Sequence, residues 1–176
     1  NNQNKTDFKN KKIVWSVQRE KGLDKIIEIW IRKIKKSQPN AELHIFTTSK
    51  LNIDNLKKYN VYFHGKISRE KLLNFYKKSF GMICLGYDET FCLNAIEAMK
   101  MGLPVISLGE TALNELIINN KNGLKVNNLM NIDRSILRLL KLNRAERSKI
   151  GKTSSAFTKK FDSRHIFKKW TKLILD

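Results

Sequence analysis

Short apolar runs alternate with longer amphipathic stretches along this chain. "KIVWSV" (12–17) is a β-rich run. In 22–36, Leu23, Ile26, Ile27, Trp30, Ile31 and Ile34 recur at helical spacing, and Pro39 and Asn40 break the pattern. "AELHIFTT" (41–48) predicts a second strand, "NLKKY" a short helix, and "VYFHG" (61–65) a third strand. In 68–79 a Ser cap precedes Leu72, Leu73, Phe75 and Tyr76 on a helical repeat. "GMICLG" (81–86) predicts a fourth strand, 91–101 a helix stopped by Gly102, and "PVISL" (104–108) a fifth strand. A short helix over 112–118, an edge strand over 122–126 and helices over about 129–141, 143–160 and 163–175 complete the pattern.

Strand–helix alternation with short links predicts an α/β fold: a Rossmann-like parallel sheet of about five or six strands with helices on both faces. Ligands of such sheets bind beyond the carboxyl ends of the strands. Here those ends are the loops 17–22, 47–52, 64–68, 86–91 and 108–112.

The length, 176 residues, fits one domain with a real core. Residues 1–11 are polar and expected to fray, 12–160 form the domain, and 161–176 form a C-terminal helix. No apolar run approaches the roughly 18 residues of a membrane span. No charged-then-apolar leader opens the chain, so the expected location is cytoplasmic.

The net charge of +19 raises two partner classes, nucleic acid and anionic membrane. Lys, Asn and Ile are all abundant, as in proteins from AT-rich genomes, and the lysine doublets are scattered. No basic stripe interleaved with aromatics supports nucleic acid as a partner. Cys84 and Cys92 read as buried thiols of a reducing compartment, with no disulfide framework. His44, His64 and His165 stand apart from one another and read as structural or surface residues, and no metal site is expected.

Residues 86–107, "GYDETFCLNAIEAMKMGLPVIS", carry two glutamates, Glu89 and Glu97, in a chain poor in acids. Glu89 lies just before the helix and Glu97 nearly two turns into it. A helix N-terminus offers unpaired N–H donors and partial positive charge, which suit a phosphate. A carboxylate that accepts two hydrogen bonds suits the vicinal hydroxyls of a sugar. A ligand with phosphate in the middle and a sugar at each end, a nucleotide-sugar, has this layout. Asn94, Glu97 and Lys100 at i, i+3, i+6 also fit a solvated polar stripe with a Glu97–Lys100 pair.

The same segment resembles the signature of the retaining glycosyltransferases of family four, which have the GT-B fold: glutamate, seven residues, glutamate, then Ala and Gly-x-Pro. "IVWSVQREKGLDKIIEIWIRKIKKSQPNAELHIF" is similar to the family's first strand, Lys/Arg-Gly loop, long helix and second strand. "VYFHGKIS", "ALNELI", "NGLKV" and "FDSRHIFKKWTKLI" are similar to later family segments, so the likeness runs from about residue 12 to the end. The resemblance implies roles. Glu89 would contact the donor sugar and Glu97 the ribose, and the amides of Phe91, Cys92 and Leu93 would hold the diphosphate. Lys21 would neutralise the diphosphate and the departing nucleotide, with Arg19 in reserve. Lys66 and Ile67 would lie against the base.

It further implies a metal-independent, retaining transfer from a UDP- or GDP-sugar to a glycan or lipid-linked acceptor. The setting would be cell-envelope polysaccharide synthesis, with peripheral contact at the inner face of the cytoplasmic membrane. The family has two Rossmann-like halves, and this chain matches the donor-binding one. The expectation is therefore a domain that is inactive without its acceptor half and toward which the C-terminal helix would pack. A non-catalytic basic module that binds nucleic acid or anionic membrane is the alternative reading.

Overall fold

In the computed structural model, residues 8–49, 55–87, 90–162, 167, 170, 171 and 174 are described. Six β-branched and aliphatic runs become six parallel strands: β1 (Lys12–Trp15), β2 (Glu42–Ile45), β3 (Val61–Phe63), β4 (Gly81–Ile83), β5 (Val105–Leu108) and β6 (Gly123–Val126). Their order in the sheet is β3-β2-β1-β4-β5-β6. The order reverses between β1 and β4, which is the ligand-binding switch point of doubly wound sheets. The strands other than the edge strand β3 are mostly buried because helices cover both faces.

On one face, α1 (Leu23–Ile29) runs through a π-helical stretch (Trp30–Ile34) into the short α2 (Lys35–Ser37). The periodicity predicts one regular helix here; the wider turn is a departure from it. Trp30 is fully buried and donates its indole N–H to the Tyr59 carbonyl, 3.1 Å away. α5 (Ile132–Lys141) packs beside the π-helical stretch and β6. The other face carries α3 (Arg69–Lys78), α4 (Leu93–Lys100) and α6 (Arg144–Phe157), with α3 against α4 and α4 against α6. Ser68 caps α3 as its sequence suggests, and Asn143 and Glu146 form a reciprocal capping box on α6. The short helix expected over 112–118 is a single 3-10 turn, Ala112–Glu115.

Arg147 fixes the α6 layer. Its guanidinium is buried and donates to the carbonyls of Ser79 (3.2 Å), Phe80 (3.1 Å) and Gly102 (2.7 Å). Burial pushes its pKa down to about 10, so it stays charged at neutral pH. Gly151 lets the same helix reach the end of α4: a Cβ there would lie 2.5 Å from the Gly102 carbonyl oxygen. Phe8, inside the segment expected to fray, packs edge-on against Phe80 at 5.2 Å. Most of the expected C-terminal helix lies outside the described residues. Phe167, Trp170 and Ile174, which are described, are all exposed.

Candidate functional site

A cleft of about 710 Å³ opens at the carboxyl edge of the sheet. It is lined by Phe46, Thr47 and Thr48 after β2, by Gly65, Lys66 and Ile67 between β3 and α3, by Arg69 at the start of α3, and by Leu93, Asn94 and Glu97 of α4. Parallel pairing of β2 with β3, Ile45 opposite Phe63, sets the first two groups side by side. α4 aims its first turn into the same space. Ser68 and Asn143 cap their helices with side chains, but Cys92 makes no side-chain cap on α4. The Ala95 amide donates to the Cys92 carbonyl at 3.1 Å, and no side chain caps this helix start, a geometry that suits an anion.

Glu97 faces this cleft rather than the outer surface. Its carboxylate pairs with Arg69, Nε to Oε1 2.6 Å, and the Lys100 pairing that the helical spacing suggests does not form its ion pair. Asn94, on the same stripe, donates to the Ser16 carbonyl at 2.5 Å and so ties α4 to the end of β1. Ser16 shares a buried 2.6 Å hydrogen bond with the Tyr76 hydroxyl. Burial raises the Tyr76 phenol well above its usual pKa, and the nearby Glu97 carboxylate adds to the shift. Sequence reasoning missed Arg69, Asn94, Ser16 and Tyr76; the one signal for Arg69 was its place directly after the 64–68 loop.

Lys66, Ile67 and Leu93 line the cleft with Glu97, so the structure brings these four expected residues together. Phe91 is half-exposed beside the cleft's helix and packs edge-on against Phe161 at 5.6 Å. Cys92 is buried, its sulfur 3.3 Å from that of Cys84. Arg19 and Lys21 form a 3-10 turn after β1, and Arg19 pairs with Asp24 at 3.0 Å. This turn lies at the switch point. Gly22 that follows it has φ +102°, and a Cβ there would lie 2.7 Å from Leu85, so the β1 loop is held against the β4 loop. Neither Arg19 nor Lys21 lines the 710 Å³ cleft itself. Glu89 lies outside the described residues.

The histidines correct the sequence reading. His44 and His64, apparently isolated, are bonded to each other at 2.9 Å, and His44 reaches Glu42 at 2.8 Å. The chain of bonds assigns Nε2–H of His44 to the Glu42 carboxylate and Nε2–H of His64 to Nδ1 of His44. The His64 ring stacks on Phe46 of the cleft wall, centroids 4.6 Å apart. Burial pushes His44 down to about 4, against the opposing pull of Glu42, and lowers His64 as well. Both rings are neutral at pH 7 and act as a flat, hydrogen-bonded backing for the cleft.

The family model for glycosyl transferases group 1 matches residues 1–156. The chain belongs to this family. Its six-stranded Rossmann-like sheet is that of the GT-B glycosyltransferases. TarM of S. aureus superposes with a TM-score of 0.77 at 21% identity, over 94% of this chain and 35% of TarM. The pneumococcal O-GlcNAc transferase GtfA, solved with UDP and GlcNAc, gives 0.78 at 18% identity over 98% of this chain and 36% of GtfA. The C-terminal domain of the group 1 glycosyl transferase LpcC from Francisella tularensis gives 0.71 at 22% identity, with 87% of each chain covered. This glycosyl transferase chain thus spans about a third of TarM and GtfA, and nearly the whole of the LpcC domain. No curated protein matches the sequence.

Proposed function

We propose that the chain is the donor-binding half of a retaining glycosyltransferase that takes its sugar from a UDP- or GDP-sugar. The observation that carries the reading is Glu97 turned into the cleft beside the uncapped first turn of α4. In this reading the base lies against Lys66 and Ile67, backed by Phe46. The ribose diol donates to Glu97, and the diphosphate takes the amides of Phe91, Cys92 and Leu93. Lys21 balances the charge that grows on the leaving diphosphate. Glu89 holds the donor sugar. UDP in the TarM and GtfA complexes and UDP-glucose in that of Anabaena HepE support this class of donor.

The acceptor is a glycan or a lipid-linked glycan of the cell envelope, in keeping with the lipopolysaccharide role of the similar WaaG. Transfer needs no bound metal, and it needs the acceptor half that the two-domain family supplies. The protein works in the cytoplasm, at the inner face of the membrane, where the charge of +19 favours anionic lipid. Among the described residues no helix is long and apolar enough to cross a membrane.

Two glutamate variants test the reading by calorimetry with UDP and with UDP-sugars, GDP and its sugars as the parallel series. Glu97→Gln should weaken nucleotide and nucleotide-sugar alike, by roughly tenfold or more, as for a lost charged hydrogen bond. Glu89→Gln should spare the nucleotide and weaken only the sugar-bearing donor, because its contact is with the sugar. Equal, unchanged affinities in both variants would refute the assignment, as would a wild-type chain that binds no nucleotide. EDTA should leave donor binding unchanged.

A further inference from the structure

The chain has two cysteines, and they touch. Cys84 follows β4 and Cys92 is the N-cap of α4. Their sulfurs lie 3.3 Å apart, and both residues are buried. A disulfide needs an S–S length of about 2.05 Å, so closure requires the sulfurs to approach by about 1.2 Å. The eight-residue separation keeps the cross-linked loop small.

We propose that Cys84 and Cys92 form a reversible dithiol–disulfide site whose oxidation reshapes the N-terminus of α4. The two thiols are anchored unequally. The Cys84 N–H donates to the Ile106 carbonyl of β5 at 2.9 Å, which pins it to the centre of the sheet. Cys92 belongs to the helix start: its carbonyl accepts from Ala95 (3.1 Å) and Ile96 (3.2 Å). Closure therefore draws Cys92 toward the sheet, and the first turn of α4 follows. That turn carries the Leu93 amide and Asn94, whose side chain bridges to Ser16 at 2.5 Å.

A peroxide supplies the oxidising equivalents. The Cys92 thiolate attacks the O–O bond to give a sulfenic acid and hydroxide. The Cys84 thiolate then attacks the sulfenic sulfur and expels hydroxide, and the two hydroxides take up the two protons released by the thiols and leave as water. In total two thiols and one hydrogen peroxide give one disulfide and two waters. A dithiol reductant reverses the step by exchange. The consequence for donor affinity rests on the proposed function, because it is in that reading that the amides of Phe91, Cys92 and Leu93 hold the diphosphate.

The test treats the whole chain with hydrogen peroxide and counts thiols by alkylation and intact mass. The expected result is loss of both thiols together within one chain, recovered with dithiothreitol. Amide exchange over 93–96 should change on oxidation and return on reduction. Cys84→Ala should form no intramolecular disulfide, and its reduced form should bind UDP as the wild type does. Cys84→Ser repeats the comparison if the alanine variant folds poorly. UDP affinity of the wild type should fall at least fivefold on oxidation. Two thiols that stay alkylatable after oxidant, or a Cys92 that passes to sulfinic acid with Cys84 untouched, would overturn the site. So would a disulfide that leaves exchange over 93–96 unchanged. A disulfide that does change this exchange, in a chain that binds UDP in neither state, supports the dithiol site and counts against the nucleotide reading alone.

Discussion

Arg69 and Glu97 form a 2.6 Å ion pair that joins the first turn of α3 to the second turn of α4 across the mouth of the cleft. The Arg69 side chain is 74% exposed and that of Glu97 20%. A pair this wet contributes under about 1 kcal/mol to stability. Its effect is on position, because it holds the carboxylate toward the cleft and, in the proposed function, leaves Oε2 to meet a ribose. Arg69→Ala should therefore change the melting temperature by less than about 3 °C. It should raise the Kd for UDP three- to tenfold and leave that for 2′,3′-dideoxy-UDP unchanged. Equal weakening of both nucleotides would place Arg69 on the phosphates or the base instead.

Lys21 acts, in the proposed function, on the diphosphate from the turn at the switch point. Lys21→Ala should weaken UDP and GDP by about 1–3 kcal/mol, the range of a lost charge-assisted hydrogen bond. The turn Arg19–Lys21 buries none of its residues, so the melting curve should not move. An unchanged dissociation constant for both nucleotides would remove Lys21 from the site.

His44 gives the fold an acid-sensitive point. Its folded pKa, about 4, lies below the unfolded value near 6.5, with burial as the chief cause. Below pH 6.5 the unfolded chain takes up a proton that native His44 refuses until about pH 4. Stability is then lost as pH falls through that window, by on the order of 3 kcal/mol, and is unaffected above it. Glu42, His64 and Lys12 face the ring and set the balance. His44→Gln should flatten the dependence of melting temperature on pH between 6.5 and 4; an unaltered slope would mean that other groups carry it.

Gly151 tests the seat of α6 on α4. A Cβ at this position meets the Gly102 backbone carbonyl at 2.5 Å, and backbone cannot swing aside as a flexible side chain can. Gly151→Ala should cost about 1–3 kcal/mol despite the better helix propensity of alanine. Chemical denaturation measures this, and a stabilised variant would show that the two helices can separate without penalty.

Local pattern made much of this legible. Apolar runs announced six strands at nearly their observed places, and Ser68 marked the start of α3. Glu97, Lys66, Ile67 and Leu93 were picked from spacing and resemblance, and they share one cleft. Pairing across the sheet was not legible. The His44–His64 bond depends on the β2–β3 register, His44 beside Tyr62, which no single-strand pattern contains. Helical spacing proposed Lys100 as the partner of Glu97, but α3 delivers Arg69 from 28 positions away. Cys84 and Cys92 looked like separate core thiols because the bend between β4 and α4 is what brings them together.

The guanidinium clip of Arg147 also sets a timetable for synthesis. Three carbonyls, of Ser79, Phe80 and Gly102, are emitted from the ribosome well before residue 147. Until it emerges, the segments that lead into β4 and into β5 lack their fastener. The first three strands, which pair among neighbours, can settle on the ribosome. The half that carries the α4 cleft wall locks last, after some 45 further residues have followed Gly102 out of the tunnel.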